Sequence, residues 1–253
     1  MQLTILGAGS SAGTPAVGCH CATCVSTDAR NKRSRCSSMV TLDDGRVILI
    51  DTSPDLRQQA LREHMRRVDA VLYTHTHADH LHGIDDLRAF CQLNRCQIPL
   101  YSYPEAIQHI REKFGYTLRQ PCDFWDLPVL AAHVVESPFE VCGQTVIPVP
   151  VMHGKMRIYA YRIGDLVYMT DMSEIPESSF ELLQDVDVLL IDCLRETPHP
   201  THVSLDQSLA LIERIAAKRN VLIHMTHELE YHGLQARLPA HVIAGYDGLQ
   251  LQL

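Results

Sequence analysis

The 253 residues carry 46% hydrophobic and 21% charged side chains, enough for one α/β domain, and contain no apolar run of about 18 residues that could form a membrane helix. A formal charge of −8 argues against broad, sequence-independent nucleic-acid binding, which needs a basic face.

Taken in chain order, residues 3–6 form a strand pattern directly after Met1, without the charged and apolar regions of a secretory signal. A strand is expected at 47–50. Ser53, Pro54 and Asp55 then read as the start of a helix running to about residue 66. The next strand is 70–73, followed by a helix over 104–114 that opens on Pro104 and stops before Gly115. Residues 116–142 fit neither period and read as an insertion or excursion. Strands follow at 146–151 and 166–169, a helix at 176–184, and a strand at 186–191. Ser204 and Gln207 form a capping-box pattern ahead of Leu205, Leu209, Ile212 and Ile215, and a last strand is expected at 221–223. The strands are short and apolar throughout, as strands covered on both faces should be. Short strands alternating with helices, with no linker, predict one layered α/β domain over 1–253. The cysteines at 19, 21, 24, 36, 91, 96, 122, 142 and 193 are odd in number and mostly scattered, which predicts reduced thiols and a cytoplasmic location.

The run His75-Thr76-His77-Ala78-Asp79-His80 places three imidazoles and a carboxylate directly after the 70–73 strand. Imidazole and carboxylate suit Zn, Mn and Fe. Alternate residues of an extended turn point alike, so His75 and His77 can converge on one ion while Asp79 and His80 serve a second. Further ligands must come from elsewhere. His153 ends the 146–152 run, Asp171 ends 166–170 and His224 ends 220–223. Asp171 is the natural bridge, because a carboxylate has two oxygens.

In this order the motif, His153, Asp171 and His224 resemble the metallo-β-lactamase superfamily of dinuclear metallohydrolases, over nearly the whole chain. The resemblance implies an αββα sandwich with two divalent ions, manganese or zinc, at one edge of its sheets. It assigns His75, His77 and His153 to one ion and Asp79, His80 and His224 to the other, with Asp171 between them.

Cys19-His20-Cys21-Ala22-Thr23-Cys24 forms a second cluster. Thiolates in a tight turn suit tetrahedral zinc, which needs a fourth ligand. His20 points away from its neighbours, His227 would tie the loop to the active-site edge, and Cys36 competes. Four protein ligands would leave no position for substrate, so this zinc would be structural. The cysteine loop, followed near the end by His224-Met225-Thr226-His227, is similar to the phosphoribosyl cyclic phosphate phosphodiesterases of the carbon–phosphorus lyase pathway. That resemblance carries the zinc to Cys19, Cys21, Cys24 and His227. It gives His202 the role of protonating or orienting the leaving oxygen. The stretches 51–59 and 85–90 are closer to a wider set of bacterial relatives and leave the sugar phosphate unspecified.

The expected reaction is hydrolysis of a small phosphodiester, with a cyclic ribose phosphate as first candidate. Two ions about 3.5–4 Å apart neutralise developing charge and supply hydroxide near neutral pH. Asp79 would orient the nucleophile. Lys155, and more weakly Arg157 and Tyr161, are candidates to meet the substrate phosphate. The expected partner is a small phosphorylated substrate; a homodimer is left open. Thioester hydrolysis, RNA 3′ processing and a non-catalytic metal scaffold are the competing readings.

Overall fold

The computed structural model describes residues 1–118 and 129–253. One seven-stranded sheet contains β1 (Gln2–Gly7), β2 (Ser37–Thr41), β3 (Val47–Ile50), β4 (Ala70–Leu72), β5 (Ile98–Ser102) and β6 (Leu130–Val134), with β14 (Gln250–Gln252) beside β1. The other contains β7 (Phe139–Val141), β8 (Gln144–His153), β9 (Met156–Ile163), β10 (Leu166–Met169), β11 (Val188–Asp192), β12 (Arg219–Ile223) and β13 (Val242–Ala244), in order. The helices are α1 (Ala22–Val25), α2 (Leu56–Arg62), α3 (Ala78–Leu81), α4 (Leu87–Asn94), α5 (Pro104–Lys113), α6 (Glu177–Phe180), α7 (Leu205–Ile215) and α8 (Tyr231–Gln235).

Each sheet begins as an antiparallel meander and continues as parallel strands. The switch falls at β3–β4 in the first sheet and at β10–β11 in the second. Within β3, Ile48 and Ile50 face the core between the sheets, while Leu49 packs with Leu56, Leu81 and Ile107 under the helices. Both faces of the strand are therefore covered, which explains its uninterrupted apolar sequence. The expected αββα sandwich is the fold observed.

Several local expectations change. The helix expected over 53–66 spans only Leu56–Arg62. Thr52 and Ser53 are held in loop geometry because Thr52 N donates to the His80 carbonyl and Gly83 N to the Thr52 carbonyl. At the other end His64 adopts a left-handed φ of 53°, which stops the helix. The 176–184 helix divides into α6 and a short 3-10 turn. Strand β8 runs through Pro148 and Pro150 without disruption. Its even-numbered backbone groups face away from β9, where Pro150 O accepts from Ser179 Oγ and Met152 N donates to Glu174 O, so the missing N–H groups fall on an open edge. Of the stretch 116–142, expected as an insertion or excursion, residues 119–128 fall outside those described; the rest supplies β6 and β7, edge strands of the two sheets. The cysteines among the described residues are free thiols, with Cys122 outside them. No helix among them is long and apolar enough to cross a membrane.

Candidate metal centre

The parallel strands end along one edge, and the chemistry sits there, as the carboxyl ends of α/β strands favour. Asp51 follows β3, Asp171 follows β10 and His224 follows β12, all in left-handed backbone with φ of 59°, 55° and 58°. Such strain costs of the order of 1–3 kcal/mol per residue and is kept where the surroundings fix it.

The loop after β4 carries His75 and His77, with His77 in extended backbone as the N-cap of α3, and Asp79 and His80 lie in the single turn of α3. His75 and His80 are buried; His77 is exposed and marks the mouth. Nε2 of His80 lies 3.0 Å from Asp171 Oδ1 and 3.2 Å from Asp79 Oδ2, and Nε2 of His224 lies 3.3 Å and 3.4 Å from the same two oxygens. The other Asp171 oxygen, Oδ2, is 3.8 Å from His75 Nε2. The His153 ring stands 5.0 Å from that of His77 and 5.6 Å from that of His75. Its Nδ1 donates to the Thr201 carbonyl at 2.9 Å, leaving Nε2 as the free ring nitrogen. All seven expected residues are thus brought together, with Asp171 directed toward two subsets.

The donor set fits cations. Nε2 of His75 and Nε2 of His80 are buried without a hydrogen-bond partner, the condition in which ligating nitrogens are left when the other ring nitrogen is engaged. Asp51, Asp79, Asp171 and Asp192 are all buried here. The only buried lysine or arginine among the described residues is Arg33, which donates instead to the Leu229 and Thr226 carbonyls. Two divalent ions would balance four carboxylates. Burial drives His75 well below the ordinary histidine value and keeps it neutral, as a ligand must be. Burial also pulls on His80 and His224, but Asp171, joined by Asp51 at His80 and Asp192 at His224, holds both well above it; the site favours positive charge at these nitrogens. Asp79 and Asp171 resist burial through contact with these histidines and stay well below the usual carboxylate range.

Two further carboxylates were not among the expected site residues. Asp51 accepts from Thr74 N at 2.8 Å and Thr74 Oγ1 at 2.7 Å, and pairs with His80 Nδ1 at 2.8 Å. Asp192, the last residue of β11, lies 3.2 Å from His202 Nδ1 and 3.3 Å from His224 Nδ1. Both follow the same signal as Asp171, a carboxylate closing an apolar strand. The His202 ring stacks on His224 at 5.0 Å, and its Nε2 is 4.0 Å from Asp171 Oδ2.

Sγ of Cys19 and of Cys21 lie 3.3 Å and 3.2 Å from His227 Nδ1, and Cys24 completes a group whose ligand atoms are all within 4.8 Å of one another. The contact with His227 lowers the Cys21 thiol to about 6. Cys36 is buried against the Tyr168 hydroxyl and His20 is exposed, so neither joins this group. Gly7 and Gly9, at the end of β1, serve this region by close packing. A Cβ on Gly7 would fall 2.1 Å from Arg35 O, and one on Gly9 would fall 2.6 Å from Arg33 O. Ser10 N donates to Met225 O, fixing the segment between His224 and His227. Among the weaker candidates, Lys155 and Arg157 are exposed beyond His153. Tyr161 is fully buried with its hydroxyl on the Tyr73 carbonyl, so it cannot meet a substrate.

A family model described as a beta-lactamase superfamily domain matches residues 46–225, the span that carries all seven His/Asp residues. The chain belongs to the β-lactamase superfamily. Its fold is the metallo-β-lactamase fold, and its similarity to solved structures extends over its full length. It is 40% identical to a structure described as a new diphosphatase from the PhnP family, with a TM-score of 0.92 and coverage of 100% of this chain and 97% of that one. The zinc-bound PqqB of Methylobacterium extorquens shares the fold at 22% identity and a TM-score of 0.81, with 100% of both chains covered. A curated protein of Porphyromonas gingivalis named octanoyltransferase is 39% identical over 99% of this chain. Only 51% of that protein is covered, so the chain spans about half its length.

Proposed function

We propose that this superfamily member hydrolyses a P–O bond in a small phosphorylated substrate, a phosphodiester or a diphosphate, with a cyclic ribose phosphodiester as the first candidate. The observation that carries this reading is His202, held by Asp192 and directed at the same Asp171 carboxylate on which the other histidines converge. The 40% identical diphosphatase supports the same bond type.

His75, His77 and His153 would hold one divalent ion and Asp79, His80 and His224 the other, with Asp171 shared; zinc and manganese both suit these donors. Cys19, Cys21, Cys24 and His227 would hold a structural zinc. When bound, the active-site ions neutralise charge at phosphorus and make a bound water more acidic. Asp79 stays ionised and can accept a hydrogen bond from the attacking water. Asp192 engages Nδ1 of His202, which presents Nε2 as the proton donor to the departing oxygen. The exposed edge at His77 admits the substrate.

An acyl thioester is the second reading, because the Porphyromonas gingivalis relative is named for octanoyl transfer. The test is a panel on protein loaded with zinc or manganese: a ribose cyclic phosphate, a diphosphate diester, an octanoyl thioester and a short RNA. Turnover of the first or second is expected. Cleavage of the thioester alone would replace this reading.

A further inference from the structure

Arg33 is among the largest fully buried side chains of the described residues. It forms no ion pair among them, and its Nε is buried without a hydrogen-bond partner. Burial brings the guanidinium down to about 10, so it stays charged near neutral pH. A charge taken out of water with no carboxylate against it is costly, and an apolar side chain of similar volume would serve the core better. Packing alone therefore does not account for an arginine here.

The contacts of the guanidinium all fall on one stretch of chain. Nη2 donates to the Leu229 carbonyl at 2.6 Å and the Thr226 carbonyl at 3.3 Å, and Nη1 lies 3.5 Å from Met225 Sδ. This stretch starts directly after His224 and contains His227. Its first two residues are also held by backbone, with Met225 N donating to Ala8 O and Thr226 N to Leu194 O. Arg33 adds the hold on the far side of His227, at Leu229. An arginine suits the task because its rigid fork of donors serves several acceptors at once, and charge-assisted bonds are the stronger kind.

The backbone of Arg33 has a second job. Its N–H donates to Thr14 O and its carbonyl accepts from Thr14 N, both at 2.8 Å. This pair closes the base of the loop over 15–32, which carries Cys19, Cys21 and Cys24. One residue thus ties the foot of the cysteine loop to the chain that brings His227 over it.

We infer that Arg33 is a positioning residue shared by the two ion sites. Its backbone closes the cysteine loop, and its side chain sets the 225–229 stretch so that His224 faces Asp79 and Asp171 while His227 faces Cys19 and Cys21. The inference rests on the assignment of His224 and His227 to the two sites.

The test is cobalt titration of the full chain against a competing chelator, for the unaltered protein, Arg33→Met and Arg33→Lys, with melting temperature recorded beside it. Cobalt bound by thiolates shows a sulfur-to-metal absorption band that cobalt bound by nitrogen and oxygen lacks, so the sites are read separately. Arg33→Met keeps the bulk and removes the donors. It should weaken cobalt at both sites by about ten- to a hundredfold, the loss typical of removing a group that orients a ligand. Arg33→Lys keeps the charge without the fork and should fall between Arg33→Met and the unaltered protein at both sites; it carries the test if Arg33→Met does not fold. Cys21→Ser, by contrast, should weaken the thiolate site alone. A lower melting temperature with unchanged affinities in the folded protein would reduce Arg33 to packing and overturn the inference, and so would a loss confined to one site. An unaltered protein without the sulfur-to-metal band would sink the cysteine clasp itself, a different failure from affinities that ignore Arg33.

Discussion

The His/Asp cluster gathers side chains, buried except for His77, from strand ends of both sheets, whereas the cysteine loop draws three thiols from one short stretch near the surface and only His227 from elsewhere. The first has a supporting layer: Asp51 behind His80, Asp192 behind His202 and His224, and the Thr201 carbonyl behind His153. The second depends on the approach of His227, three residues past His224. The difference separates a centre that the scaffold preorganises from a clasp that its ion would close. Removing a ligand from each should therefore fail in different ways.

The largest expected effect is that of Asp171→Ala. Losing the carboxylate that faces both histidine subsets should remove the active-site ions and lower turnover by about a thousandfold or more. Full activity with both ions retained would break the account of a shared carboxylate. His202→Ala should reduce kcat by roughly a hundredfold or more with metal content unchanged. Loss of an ion would instead make His202 a ligand. Asp192→Asn should cost about ten- to a hundredfold, chiefly in kcat, by loosening His202 and His224; a change in KM alone would argue against positioning. Cys21→Ser should leave the reaction least affected but lower the melting temperature and release zinc. The pH dependence of zinc retention sharpens this last contrast. The Cys21 thiol is depressed from an ordinary value near 9 to about 6, so its contribution is fully present above the ordinary value and is lost as pH falls through about 6. Zinc release from the loop should accordingly begin only near or below that pH, as a metal-indicator titration would show.

Much of this comparison is legible in the sequence, because both motifs are local. His75–His80 and Cys19–Cys24 each place several donors within one turn of chain, and His153, Asp171 and His224 stand out by closing apolar strands. Asp51 and Asp192 close strands in the same way, yet a lone strand-end carboxylate does not disclose which histidine it faces; that depends on which strands pair. The missed strand β2 begins Ser37-Ser38, which hides its period. The missed β9 mixes Arg157 and Arg162 with buried tyrosines, because only part of it is covered. Helix α2 is shorter than its capping signals suggest because the contacts of Thr52 with the 80–83 turn, formed only in the folded chain, claim its first residues. Tyr161 shares the strand parity of the exposed Arg157, but it lies four residues further along β9, where the strand is buried and its hydroxyl reaches the Tyr73 carbonyl.

The most direct test of the central claim is metal stoichiometry, measured alongside P–O hydrolysis, for the unaltered protein, Asp171→Ala and Cys21→Ser. The account expects about three ions per chain in the unaltered protein, about one in Asp171→Ala with activity lost, and about two in Cys21→Ser with activity largely kept in the folded fraction. Loss of all ions together from either variant, or an active Asp171→Ala protein with its full complement, would contradict the separation of a catalytic centre from a structural clasp.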